Sequence, residues 1–113
     1  MLEDIRRGKG DYAVKSIETV AHGKDVIARV FTLAPGDVTP WHSHSKVTDH
    51  YFVLSGRLSV ETRNPDAART LAVGERFAIP AGNVHQISNH GTDDCRFLLV
   101  QGVGQYDWVK ADG

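Results

Sequence analysis

Short apolar stretches alternate with polar and turn residues along this chain, and the turns recur roughly every ten positions. Val26–Leu33 (VIARVFTL) is β-branched and apolar and stops at the turn signal Ala34-Pro35-Gly36. Asp49–Thr62 reads as two strands broken at Ser55-Gly56, or as one long strand bent by a bulge there. Thr70–Val73 and Glu75–Ile79 are expected as short strands on either side of Gly74. Turns are expected at Asn64-Pro65-Asp66 and at Pro80–Asn83. Val84–Ser88 and Arg96–Gln101 are the last strands, joined by a polar loop over Asn89–Asp94. Residues 41–48 read as irregular, and residues 1–12 as a polar lead-in with one helical turn at Leu2–Arg7. Many short strands at even spacing predict an all-β sandwich or barrel, and a closed barrel also removes exposed sheet edges. Phe77, Ile79, Ile87, Phe97 and Leu99 are core candidates in either arrangement.

Length limits this pattern to one domain spanning 1–113, long enough to bury a core. Thirteen basic residues against fourteen acidic ones leave a net charge of −1, so no nucleic-acid partner and no membrane surface is expected. Cys95 is the only cysteine, which excludes an internal disulfide framework. The mixed-charge N-terminus (MLEDIRRGKG) has no apolar run of signal-peptide or membrane-span type, and the expected location is cytoplasmic. The unusual count is six histidines, four of which (His42, His44, His50 and His85) fall in two short segments.

Their spacing carries chemistry. His42 and His44 are two residues apart, so both rings share a face if the chain is extended. Asp49 opens the following strand and can add a carboxylate oxygen. His85 opens a later strand and reaches the same point if that strand pairs nearby. Three imidazoles and one carboxylate suit a divalent Fe, Mn, Ni, Cu or Zn ion, one per chain; Ca or Mg would want more oxygen. Strand alternation puts Asp49, Tyr51 and Val53 on one face and His50, Phe52 and Leu54 on the other. Only one of Asp49 and His50 can therefore face inward without a bulge. Tyr51 shares the Asp49 face as either a pocket hydroxyl or a barrel-filling aromatic. His22 and His90 read as solvated turn residues, Asn89 as a turn former, and Trp41 as packing away from His42.

Gly36-x5-His42-x-His44-x4-Asp49-x6-Gly56 resembles the first motif of the cupin superfamily, G-x5-H-x-H-x3–4-E-x6-G. Gly74-x5-Pro80-x-Gly82-x2-His85-x3-Asn89 is similar to the second, G-x5-P-x-G-x2-H-x3-N, with every fixed position present. The departure is Asp49, one methylene shorter than the usual glutamate. The resemblance implies a small single-domain jelly-roll β-barrel with a metal held by His42, His44, Asp49 and His85. It also implies a small-molecule substrate or ligand and a homodimer. Among family activities a dioxygenase, and so an oxidoreductase, ranks above an isomerase or cyclase. In those reactions Asp49 and Tyr51 are the candidate catalytic groups. The alternative is a non-catalytic module that binds a small ligand or a metal.

Overall fold

A computed structural model describes residues 14–112; the helical turn expected at Leu2–Arg7 lies outside them. The described residues form ten strands and no helix: β1 (Ser16–His22), β2 (Val26–Leu33), β3 (His42–Ser43), β4 (Thr48–Ser55), β5 (Leu58–Thr62), β6 (Ala67–Leu71), β7 (Arg76–Ile79), β8 (His85–Ser88), β9 (Cys95–Gly102) and β10 (Val109–Lys110). They make two five-stranded antiparallel sheets, ordered β1-β2-β9-β4-β7 and β10-β3-β8-β5-β6. The all-β fold expected from the strand spacing, and the jelly roll that the motif resemblance implies, are observed.

Alternation decides what lies between the sheets. β2 and β9 bury every second residue, so Phe31 and Leu33 meet Phe97 and Leu99 inside. Phe31 and Phe97 stack with ring centroids 5.3 Å apart, and Tyr51 lies 5.6 Å from Phe97. Leu58, Val60, Leu71, Ile79 and Ile87 complete the core from the facing sheet and from β7. Phe77 differs from expectation. It is only partly buried and packs against the core from the edge strand β7, under the Arg69 guanidinium.

The strand signals misplace mainly the sheet edges, and they miss the short interior strand β3. The stretch Asp49–Thr62 resolves into β4 and β5, which turn at Gly56. β6 begins at Ala67 instead of Thr70 and ends at Leu71, leaving Val73 exposed. Its register is set by pairing with β5, Leu58 against Leu71 through Thr62 against Ala67. β1 carries no strand signal, and its last residue is His22, read from sequence as a turn residue. Both β1 and β6 are edge strands with almost wholly exposed side chains, so neither needs the apolar alternation that marks a half-buried strand. Within the stretch read as irregular, His42 and Ser43 form β3.

The turn-forming role expected of Asn89 holds. Asn89 is a buried clamp: its amide donates to the carbonyls of Leu33 and Asp93, and its Oδ1 accepts from Gly91 N–H. Cys95 is fully buried in the core, and burial pushes its thiol up to about 11, which makes it a packing residue.

Candidate metal centre

The strand register assembles the site at one end of the barrel. His42 on β3 is the direct partner of His85 on β8. His44 follows two residues after His42. Asp49 on β4 enters from the other sheet, directly opposite Gln101 on β9. The four side chains are all buried, and their donor atoms lie within 4.8 Å of one another. Asp49 therefore occupies the inward position. His50 lies on the outer face of β4, beside Ala78 and Val100.

Backbone contacts fix the histidine tautomers. His42 Nδ1 lies 2.7 Å from Pro40 O, His44 Nδ1 2.6 Å from Asp107 O, and His85 Nδ1 2.9 Å from Asn83 O. A carbonyl only accepts, so each Nδ1 carries the proton and each Nε2 presents a lone pair. This is how metal-bound imidazoles are oriented. Asp49 Oδ2 lies 3.3 Å from His44 Nε2 and 3.1 Å from His85 Nε2. The His85 contact lacks hydrogen-bond geometry, leaving that buried nitrogen without a partner among the described residues. Three convergent nitrogen lone pairs and a carboxylate, one nitrogen of them orphaned, fit a transition-metal ion.

The carboxylate is held tightly. Tyr51 OH donates to Asp49 Oδ2 at 2.9 Å, and Gln101 Nε2 donates to Oδ1 at 3.0 Å. Arg29 donates to Gln101 Oε1, which turns the Gln101 amide toward Asp49. Burial alone would raise the Asp49 carboxyl, but the His44 and His85 imidazoles beside it hold it well below its usual range. Burial and the neighbouring Asp49 push Tyr51 well above the usual phenol value, so its proton stays on.

The irregular segment between β9 and β10 closes the mouth. Trp108 stacks on His42 at 3.7 Å, and the Tyr106 ring lies 5.3 Å from His44. Asp107 accepts from Ser45 N–H at 2.7 Å and from the Ser45 hydroxyl, which anchors the segment. The space left inside is about 10 Å³, walled by Phe31, Ile87, Leu99 and Trp108 around the donors. Trp41 points away from His42, as alternation predicts, and lies under Arg63. Four contributors were missed from sequence: Arg29, Gln101, Tyr106 and Trp108. The first two sit at inward positions of otherwise apolar strands, which alternation could have exposed.

His42 and His44 are shifted in opposite directions without metal, and this gives a pH prediction. Burial and then the neighbouring His85 and His44 rings lower His42 well below 6.5, so it is neutral near pH 7. Burial would also lower His44, but the Asp49 contact outweighs it and raises His44 above 6.5. A metal must therefore displace a proton from His44. Apparent zinc affinity should fall as pH drops from 8 to 6, approaching about tenfold per unit below the His44 pKa. Calorimetry in two buffers of different ionisation enthalpy should show proton release; affinity flat across this range would refute it.

Comparisons with known proteins agree with this fold. A family profile described as "Cupin domain" matches residues 29–101. The chain is 44% identical over 61 residues to the "Rhicadhesin receptor" of Pisum sativum, covering 51% of this chain and 28% of that protein. It is 39% identical over 68 residues to "Germin-like protein subfamily 2 member 2" of Arabidopsis thaliana, covering 58% and 31%. The matched stretch thus spans under a third of these curated relatives. Among solved structures, a conserved double-stranded β-helix protein from Klebsiella pneumoniae superposes with TM-score 0.77 at 23% identity, covering 98% of this chain and 93% of that one. An oxalate oxidase in complex with glycolate superposes with TM-score 0.73 at 22% identity, covering 84% and 54%.

Proposed function

The chain belongs to the cupin domain family, and from that premise we propose that it is a metal-dependent enzyme acting on a small organic substrate, in the first place a dioxygenase. The observation that carries the metal reading is the set of three Nδ1 atoms committed to backbone carbonyls, with three Nε2 atoms and Asp49 turned to one point. A divalent transition ion held there by His42, His44, Asp49 and His85 supplies a Lewis acid or redox centre with coordination positions open to substrate or O₂. Asp49 and Tyr51 position that centre instead of moving protons. The carboxylate already accepts from Tyr51 and Gln101, and the phenol is buried with its proton retained. A group so fully engaged is a poor general base. This favours chemistry with O₂ over an isomerase or cyclase, which needs a base at the substrate. The apolar walls exclude water from the site.

The test is reconstitution with Mn, Fe, Ni, Cu and Zn, metal analysis, and O₂ uptake with catechol, flavonol and thiol candidates. One metal per chain with O₂ consumption supports the enzyme. No metal under any loading condition overturns the metal centre. Bound metal with ligand binding but no turnover would make the chain a non-catalytic binding module.

A homodimer belongs to the same reading. Val30, Leu98 and Phe52 are register partners across β2, β9 and β4 and form an apolar strip on the outer face of that sheet, continued by the exposed Leu54. Such a strip suits a second copy of the chain. Light scattering should give twice the 12.4 kDa chain mass, and Leu98→Glu should halve it; a monomeric wild-type chain would refute the dimer.

A further inference from the structure

Arg29 is the one buried cation of the barrel interior among the described residues, and none of those residues answers its charge. It is 2% exposed, on the inward face of β2 between Ile27 and Phe31. No carboxylate of a described residue lies within ion-pair distance of it. Its one hydrogen bond to a described residue goes to the neutral amide of Gln101. Its Nε–H is buried without a partner. A buried guanidinium left in this state is costly, unless an anion completes it.

Geometry indicates which anion. The Arg29 guanidinium carbon lies 5.5 Å from the Phe31 ring centroid and 5.0 Å from that of Tyr106. Two rings beside the guanidinium leave its N–H edge as the binding surface. A planar carboxylate pairs with that edge in its own plane. Tyr106 OH, on the ring beside the guanidinium, is also buried without a hydrogen-bond partner and is free to donate. Tyr106 lies on the irregular segment between β9 and β10, the wall of the mouth that carries no strand pairing there. Charge balance agrees. A divalent ion and Arg29, offset by Asp49 alone, leave the interior doubly positive with neutral imidazoles.

We propose that Arg29, with Tyr106 OH, forms a carboxylate subsite beside the donor cluster, so that the ligand of this barrel is a small organic acid in its anionic form. This deepens the metal reading above and rests on it only for the charge balance. Through Gln101, Arg29 also orients Asp49, and the test separates the two roles.

The probe pair is lactate and its neutral isostere lactamide, titrated calorimetrically into zinc-loaded and metal-free protein. The variants are Arg29→Met and Arg29→Lys. Wild type should prefer lactate. Arg29→Met should lose at least tenfold in lactate affinity both at saturating zinc, with one zinc per chain retained, and in the metal-free protein; Arg29→Lys, which keeps the charge without the fork, should fall between. A role confined to orienting Gln101 would instead lower zinc affinity and leave lactate binding alone, which would overturn the subsite. So would equal binding of lactate and lactamide by the wild-type chain. Metal content is read separately. Failure of zinc to load refutes the metal centre, and the metal-free titrations then decide the subsite. One readout needs no variant: the Arg29 Nε–H resonance should move downfield with lactate and stay in place with lactamide. An unmoved resonance at saturating lactate refutes the contact.

Discussion

Exchanging Asp49 for asparagine is expected to weaken metal binding on the order of 100-fold or more while costing the metal-free fold only about 1–3 kcal/mol. The two effects separate because Asp49 has two sets of partners. Its Oδ1 takes Gln101 Nε2, and its Oδ2 takes Tyr51 OH and faces the Nε2 atoms of His44 and His85. In asparagine the carbonyl keeps the Gln101 bond. The new NH₂ group donates toward a neutral imidazole Nε2 and can accept none of the metal's charge. Tyr51 OH, which donated to Oδ2, now meets that NH₂ group and loses its acceptor, so the metal-free protein also loses about 1–3 kcal/mol. With metal present, an anionic ligand is gone and an N–H points at a cation. His50→Asn is the control, because His50 faces outward on the same strand and should leave affinity unchanged. Competition against a chromophoric chelator gives the affinities, and thermal melts of the metal-free proteins give the stabilities. Equal zinc affinity in wild type and Asp49→Asn would remove Asp49 from the ligand set.

The contrast between Asp49 and His50 also marks what was legible in the sequence. Period-two alternation and the spacing to Gly56 select Asp49, and the strand pairing with β9 puts it opposite Gln101 as the period requires. The same rule places Arg29 with Ile27, Phe31 and Leu33 on one face of β2, and Gln101 with Phe97 and Leu99 on one face of β9. A charged side chain and an amide on otherwise apolar faces were therefore visible in principle. The contributions of Pro40, Asn83 and Asp107 were not, since each acts through a backbone carbonyl that any residue supplies. Trp108 stacks on His42 from a segment with no period, where no pattern says which way a side chain points. Edge strands escape for a related reason. β1 and β6 are held by backbone ladders on one side and carry exposed side chains, so their sequences lack the apolar mark.

Gly56→Ala should be the most damaging single methyl group in the chain, and Gly74→Ala calibrates it. Both glycines have left-handed backbone conformations, φ 76° at Gly56 and 87° at Gly74. Each substitution therefore pays the same strain, roughly 1–2 kcal/mol for an L-residue in that region. The surroundings differ. A Cβ at Gly74 would meet nothing within 4 Å. A Cβ at Gly56 would lie 2.5 Å from Asp94 O and 2.9 Å from Cys95 Cα. Those are backbone atoms at the start of β9, so no rotamer can relieve the overlap. Either the β4–β5 turn or the first residues of β9 must move. Moving β9 disturbs the pairing of Ser55 with Arg96 and of Val53 with Phe97, and with it the stacked ring pair Phe31–Phe97 in the core. Gly74→Ala is expected to lower the melting temperature by about 4–8 °C per kcal/mol of that strain, and Gly56→Ala by more than about 15 °C, or to leave the chain insoluble. Because the strain is common to both, the difference between the two melts measures the closeness of the turn to β9. Equal shifts would mean that the turn does not pack against β9 as described.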